Sequence, residues 1–124
     1  MSFFDAMEKN DIEKAATNVY HCRKMIANSH NKEQSKDVDM IIKKGMLAKL
    51  TEILKEEYTP ERSGLLQETS WCVSNMAGSN SEHVKEIIQA GTIDAMLRLF
   101  LLEQNYSILD NVVILIWERS LNIF

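Results

Sequence analysis

Apolar residues recur at helical spacing along most of the chain, which predicts a protein built from α-helices. The predicted helices cover about residues 11–27, 37–44, 46–57, 64–76, 81–91, 92–103 and 107–124. Asp11 and Ser81 stand where a side chain can cap a helix start, and Gly45 and Gly91 stand where helices end. The polar residues 28–36, and residues 58–63 with the only proline, are predicted loops. The predicted fold class is therefore all-α.

Two stretches of the chain match each other, and 46 residues separate Gly45 in the first from Gly91 in the second. Val38 and the pair Ile41-Ile42 correspond at the same offset to Val84 and the pair Ile87-Ile88. A helical repeat of about 40–47 residues is typical of α-solenoids of the armadillo or HEAT kind. We therefore predict a single domain over residues 1–124, an α-solenoid of about two and a half armadillo repeats. Its repeat-like units are about residues 11–29, 37–79 and 83–124.

The composition fits one globular domain and gives no positive support for catalysis. The chain has 124 residues, of which 45% are hydrophobic and 26% charged. Its net charge of −4 weighs against non-specific binding to nucleic acid and leaves room for a basic partner. It holds no nucleotide-binding glycine motif, no hydrolase G-x-S-x-G and no H-E-x-x-H. We expect neither enzymatic activity nor a cofactor.

The two cysteines, Cys22 and Cys72, lie 50 positions apart without a CxxC motif. This usage favours two buried thiols in a reducing compartment, with a disulfide or a metal site as the less favoured alternative. Residues 1–10 lack the features of a signal peptide, and the longest apolar run, residues 112–117, is too short for a bilayer. We expect a nuclear and/or cytoplasmic protein without metal or membrane contact.

A specific family resemblance comes from residues 66–79, LQETSWCVSNMAGS. An acidic residue, then Trp, three residues and Asn, then a turn of small residues, resembles the third helix of an importin-α armadillo repeat. Residues 81–99 resemble the first two helices of the following repeat, and residues 38–54 the same element one repeat earlier. The resemblance covers nearly the whole chain. Importin α is the adaptor that carries proteins bearing lysine-rich nuclear localisation signals. The resemblance therefore implies protein binding and nuclear transport.

The same residues can be interpreted by helix geometry alone. Glu68, Trp71 and Asn75 are three and four apart and share one helix face. An exposed Trp ring can attract a Lys or Arg, an Asn amide can hold a peptide backbone, and a carboxylate adds charge complementarity. We predict a basic-peptide site at Glu68, Trp71, Asn75 and Ser79. The alternative, a Trp that packs in the core and an Asn that only ends a helix, stays open.

The chain departs from the family pattern at several positions. The earlier helix has His21 and Met25, and the later one Ile114 and Glu118, where the family repeats Trp and Asn. The lysine pocket of the family uses a glycine, a threonine and an aspartate, and an ungapped alignment places Ser79, Val84 and Asn122 there. Residues 1–10 are not basic, unlike the family's segment that recruits importin β. We therefore expect basic-peptide binding to be a weak accessory contact.

The last predicted helix is apolar nearly all round, so it needs cover on several sides. No further repeat follows to provide that cover, and we expect this helix to contact another chain, in a homodimer or a hetero-complex. The alternative is that the helix folds back on its own core. A rival hypothesis is a structural helical assembly subunit with no peptide groove. The predicted interface residues are Leu109, Val112, Val113, Leu115, Ile116, Trp117 and Phe124.

Overall fold

The computed structural model describes residues 2–103, and this part of the chain is helical without strands. Seven α-helices and one short 3-10 turn pack together, so the all-α prediction is confirmed. The helices are α1 (Phe3–Glu8), α2 (Ile12–Asn28), α3 (Asn31–Lys43), α4 (Met46–Lys55), α5 (Ser63–Ala77), α6 (Ser81–Gln89) and α7 (Thr92–Glu103). The 3-10 turn, Pro60–Arg62, precedes α5.

Several helix boundaries follow the local signals in the sequence. The Asp11 side chain accepts a hydrogen bond from the Lys14 backbone N–H and caps α2, as predicted. Gly45 and Gly91 join α3 to α4 and α6 to α7, with φ of +85° and +79°. An L-residue with a side chain avoids this left-handed region, so glycine is the residue that suits both junctions. The cap of α6 is Asn80, which accepts from the His83 N–H, and Ser81 is the first helical residue instead.

The prediction for residues 28–36 was wrong, because α3 begins at Asn31 and leaves only a short connection after α2. Its first two turns carry polar residues and so show no apolar spacing. Two side-chain hydrogen bonds connect this segment to the end of α2. Gln34 Nε2 donates to the Ile26 carbonyl at 3.0 Å, and the Ser29 hydroxyl donates to Asp37 Oδ2 at 2.6 Å.

Helix α1 was absent from the prediction, because six residues are too few for a periodic pattern. Ser2 caps it, and Phe3 and Ala6 are buried against the rest of the core. The helix packs against α2. Asn10, in the connection to α2, has a φ of +55°, a conformation that Asn tolerates better than most residues.

The hydrophobic core runs through all seven helices of the described chain. Helix α5 contacts α2, α4 and α6, and α4 also packs against α3 and α7. On α2, Met25 is exposed, whereas Arg23 lies on the buried face of the helix. The fully buried large side chains are Ile26, Leu50, Ile53, Leu54, Leu65, Leu66, Met76, Ile87, Met96 and Leu99.

Most hydrogen bonds between residues that are distant in sequence join a side chain to a side chain or backbone carbonyl 41 to 52 positions away, and the contact of Cys22 with Met46 spans 24 positions. Thr51 and Thr92 place their hydroxyl oxygens 2.7 Å apart between α4 and α7. Arg98 on α7 donates to the Leu54 and Glu56 carbonyls at 2.9 Å, at the C-terminal end of α4. Elements therefore meet counterparts that lie close to the 46-residue offset of the sequence match.

Candidate functional site

The candidate site is an open depression of about 390 Å³ between α2 and α5. These two helices face each other because each has a buried side, with Val19 and Ile26 on α2 and Cys72 and Met76 on α5. The rim of the depression combines aromatic rings with acidic and amide groups and has no Lys or Arg in its lining. Its lining residues are Glu13, Ala16, Thr17, Tyr20, Gly64, Gln67, Glu68 and Trp71.

Trp71 is 49% exposed, so its ring lies at the surface and not in the core. The guanidinium carbon of Arg23 lies 3.6 Å from the centroid of the indole ring and 5.1 Å from the centroid of the Tyr20 ring. A cation at this distance from a Trp face is attracted by the negative face of the ring. The exposed tryptophan therefore already holds a cation, which comes from its own chain.

Glu68 pairs with the same arginine. Arg23 Nε donates to Glu68 Oε2 at 2.6 Å and Nη2 donates to Oε1 at 3.3 Å, a two-point contact with the carboxylate. The side chains are 8% and 24% exposed, so the pair is largely shielded from water. The aliphatic stem of Arg23 supplies apolar cover on the buried face of α2 while its charged head reaches Glu68.

Asn75 lies one helical turn beyond Trp71 and is half-buried. Its Nδ2 donates to the backbone carbonyl of Arg23 at 3.5 Å, which is a long hydrogen bond. The amide thus lies against a backbone carbonyl, the kind of group predicted for a bound peptide. Here that carbonyl belongs to α2.

Ser79 belongs to a different cluster, beyond the end of α5. Its hydroxyl donates to the Met76 carbonyl at 2.7 Å and also contacts Nδ1 of His83. The other ring nitrogen of His83, Nε2, lies 2.7 Å from Asp39 Oδ1 on α3. The hydrogen bond from His83 lowers the pKa of the Asp39 carboxyl. This arrangement connects α6 to α3 through an imidazole that is 1% exposed, while the Asp39 side chain is 54% exposed and faces solvent.

The structure thus brings two of the four predicted peptide-site residues together in the depression. Glu68 and Trp71 line it, Asn75 adjoins through Arg23, and Ser79 joins the cluster with His83. The predicted interface residues, from Leu109 to Phe124, lie outside the described residues, as do Ile114, Glu118 and Asn122.

Sequence reasoning missed Arg23 and Tyr20, which complete the site. A signal was present, because Arg23 is four residues after Val19 and three before Ile26, on the apolar stripe of α2. A charged residue on a buried helix face requires a partner. The identity of that partner, Glu68, 45 residues away, depends on the packing of α2 on α5.

No protein-family model matches the chain. Within the described residues, no group of three or more His, Cys, Asp or Glu side chains is arranged to hold a metal ion. None of the described helices has both the length and the apolar character that a bilayer crossing requires.

Proposed function

We propose that this chain is a non-enzymatic protein-interaction module, an adaptor that resembles importin α. It is a short stack of armadillo-type repeats with two contact regions. The depression between α2 and α5 takes a basic extended peptide, similar to a nuclear localisation signal, and the C-terminal segment contacts another protein chain. The proposed setting is the nucleus and/or cytoplasm.

The repeat stack is supported by which elements meet. Helix α2 packs on α5 and α4 on α7, while Asn80 Nδ2 donates to the Ser35 hydroxyl at 2.5 Å and so links α6 to α3. In a solenoid each unit contacts the next one, so long-range contacts fall near one repeat length. Most of the long-range hydrogen bonds, with separations of 41 to 52 residues, follow that rule.

The single observation that carries the peptide site is the position of Arg23. A guanidinium lies on the face of Trp71 while a carboxylate, Glu68, receives its N–H groups. The surface therefore has the chemistry to hold a basic side chain. The chain's net charge of −4 and the second carboxylate in the depression, Glu13, favour a positively charged partner.

The test is a titration with a lysine- and arginine-rich peptide, using an acidic peptide of the same length as the specificity control. We expect Trp71→Ala to weaken binding of the basic peptide by about tenfold when it is introduced into Arg23→Ala, because the ring face is then free for the peptide's cation and the lost cation–π contact is worth about 1–2 kcal/mol. Met40→Ala is the matched control, since Met40 is also a large exposed apolar side chain but lies on α3. Equal affinity in Arg23→Ala and in the double variant Arg23→Ala, Trp71→Ala would contradict the peptide site.

The same Arg23 contact also favours the rival function, a structural helical subunit with no peptide groove. In that case the cation is supplied permanently by the chain, and Trp71 only covers the pair of Arg23 and Glu68. The basic peptide would then fail to bind the wild type at all, and Trp71→Ala would change stability alone.

The second contact region of the proposed adaptor is the apolar segment of residues 107–124. The described chain leads into it through α7, where Leu101 and Leu102 are 74% and 60% exposed. Adjacent exposed leucines favour a protein contact at this end. We expect the double variant Leu115→Glu, Trp117→Glu to sediment as a monomer at concentrations where the wild type self-associates or captures its partner. A wild type that stays monomeric and binds no protein would remove this contact.

A further inference from the structure

We propose that Cys22 and Cys72 form a peroxide-sensitive dithiol, a modification site that closes to an internal disulfide between α2 and α5. The two sulfur atoms lie 3.9 Å apart, although 50 residues separate them in the sequence. They are the only cysteines of the chain, so each has one possible partner within the molecule. The proposal is independent of the peptide site.

The site is asymmetric in a way that gives each thiol a separate role. Cys22 is partly exposed and Cys72 is buried. The Cys72 thiol donates its proton toward Cys22 Sγ, which lowers the pKa of Cys22, while that hydrogen bond and burial raise the pKa of Cys72. Cys22 is therefore the thiol that an oxidant in solution reaches first, and as thiolate it is the nucleophile. Cys72 is placed to react with the oxidised Cys22.

The geometry permits the bond with small movements. A disulfide needs its sulfur atoms about 2.05 Å apart, so the two atoms must approach by roughly 1.9 Å. Both side chains start from facing helices that are already packed together, so the approach required is shorter than the distance that already separates the sulfurs. Met46 Sδ, 3.7 Å from Cys22 Sγ, is the other sulfur beside the site. A thioether cannot form a disulfide, so it does not compete for the bond.

The reaction balances with hydrogen peroxide as the oxidant. The Cys22 thiolate attacks one peroxide oxygen, the O–O bond breaks, and the hydroxide that leaves takes up the proton released by Cys22 to become water. The product is a sulfenic acid on Cys22. The Cys72 sulfur then attacks the Cys22 sulfur, the S–O bond breaks, and the departing hydroxide takes the Cys72 proton as a second water. Two thiols lose two electrons in total, and peroxide gains them.

The experiment treats the reduced chain with one equivalent of hydrogen peroxide and follows free thiols, intact mass and non-reducing electrophoresis. We expect both thiols to disappear together, peptide mapping to find Cys22 joined to Cys72, and dithiothreitol to restore both. The chain should remain unlinked to other chains. The same treatment in denaturing urea is the matched control, and the native chain should form the internal bond at least about tenfold faster, since folding holds the thiols together.

Two variants separate the roles of the sulfurs. Cys72→Ser should accumulate a sulfenic acid on Cys22 that dimedone traps, because the resolving thiol is gone. Cys22→Ser should lose its remaining thiol at least about tenfold more slowly than Cys72→Ser. Circular dichroism checks that both variants fold, and the wild-type comparison does not depend on them. A native rate no faster than the rate in urea, or linkage mainly between chains, would overturn the proposal.

Discussion

Replacing Arg23 with alanine is expected to raise the affinity of the chain for the basic peptide by about tenfold. In the wild type, an incoming cation must displace the Arg23 guanidinium from Trp71 and from Glu68. A cation–π contact of this kind is worth about 1–2 kcal/mol, and 1.4 kcal/mol corresponds to a factor of ten. In the variant the ring face is free and the half-buried carboxylate has no internal partner. Isothermal titration of wild type and Arg23→Ala measures the difference.

Three further variants make this result specific. Arg98→Ala is the matched control, because it removes an arginine that binds carbonyls beside α4 and should leave peptide affinity unchanged. Arg23→Lys keeps the charge but loses the planar two-point contact, so its affinity should fall between wild type and Arg23→Ala. The double variant Arg23→Ala, Trp71→Ala should show no gain. If Arg23→Ala stays folded and binds no more tightly than wild type, the depression is not a peptide site.

Leu50→Ala is expected to lower the free energy of unfolding by about 2–5 kcal/mol. Leu50 is fully buried on α4, the helix that packs against α3, α5 and α7. The substitution removes apolar contacts and leaves a cavity that neighbouring helices on several sides prevent from collapsing. Domains are stable by only about 5–15 kcal/mol, so this loss is a large part of the total. Urea denaturation followed by circular dichroism gives the difference.

Leu101→Ala supplies the matched control for the core substitution. It is the same chemical change in a helix, but Leu101 is 74% exposed, so the expected change is within about 0.5 kcal/mol. A loss below about 1 kcal/mol for Leu50→Ala would contradict the position of α4 in the centre of the core. A large loss for Leu101→Ala would instead mean that this leucine is covered in solution.

The sequence predicted the helices well where a local signal exists. Asp11 and Gly45 mark boundaries because a cap or a left-handed φ depends on one or two neighbouring residues. The sequence analysis missed the start of α3 at Asn31, because the polar residues of the first two turns carry no apolar period. It also failed for α1, whose burial of Phe3 depends on a surface created by other helices.

For the candidate site, helix geometry placed Glu68 and Trp71 on one face, and the structure puts both at the same depression. The spacing could not reveal what lies on that face. Arg23 fills the ring face from another helix, and Ser79 turns to His83 on α6. The first result depends on side chains that are distant in sequence, so no local pattern of residues encodes it. The second depends on the turn between α5 and α6, which brings the Ser79 hydroxyl to the His83 ring.

By itself, the sequence determined that this chain is helical, where most of its helices begin and end, and that two segments match at a 46-residue offset. These properties arise from backbone preferences and from apolar spacing within single helices. Only the tertiary structure decided that the Arg23 guanidinium lies on the face of the Trp71 ring and that the sulfur atoms of Cys22 and Cys72 are close together. Such pairs form when helix packing brings opposite faces together, and the helices pack to bury apolar surface over the whole fold.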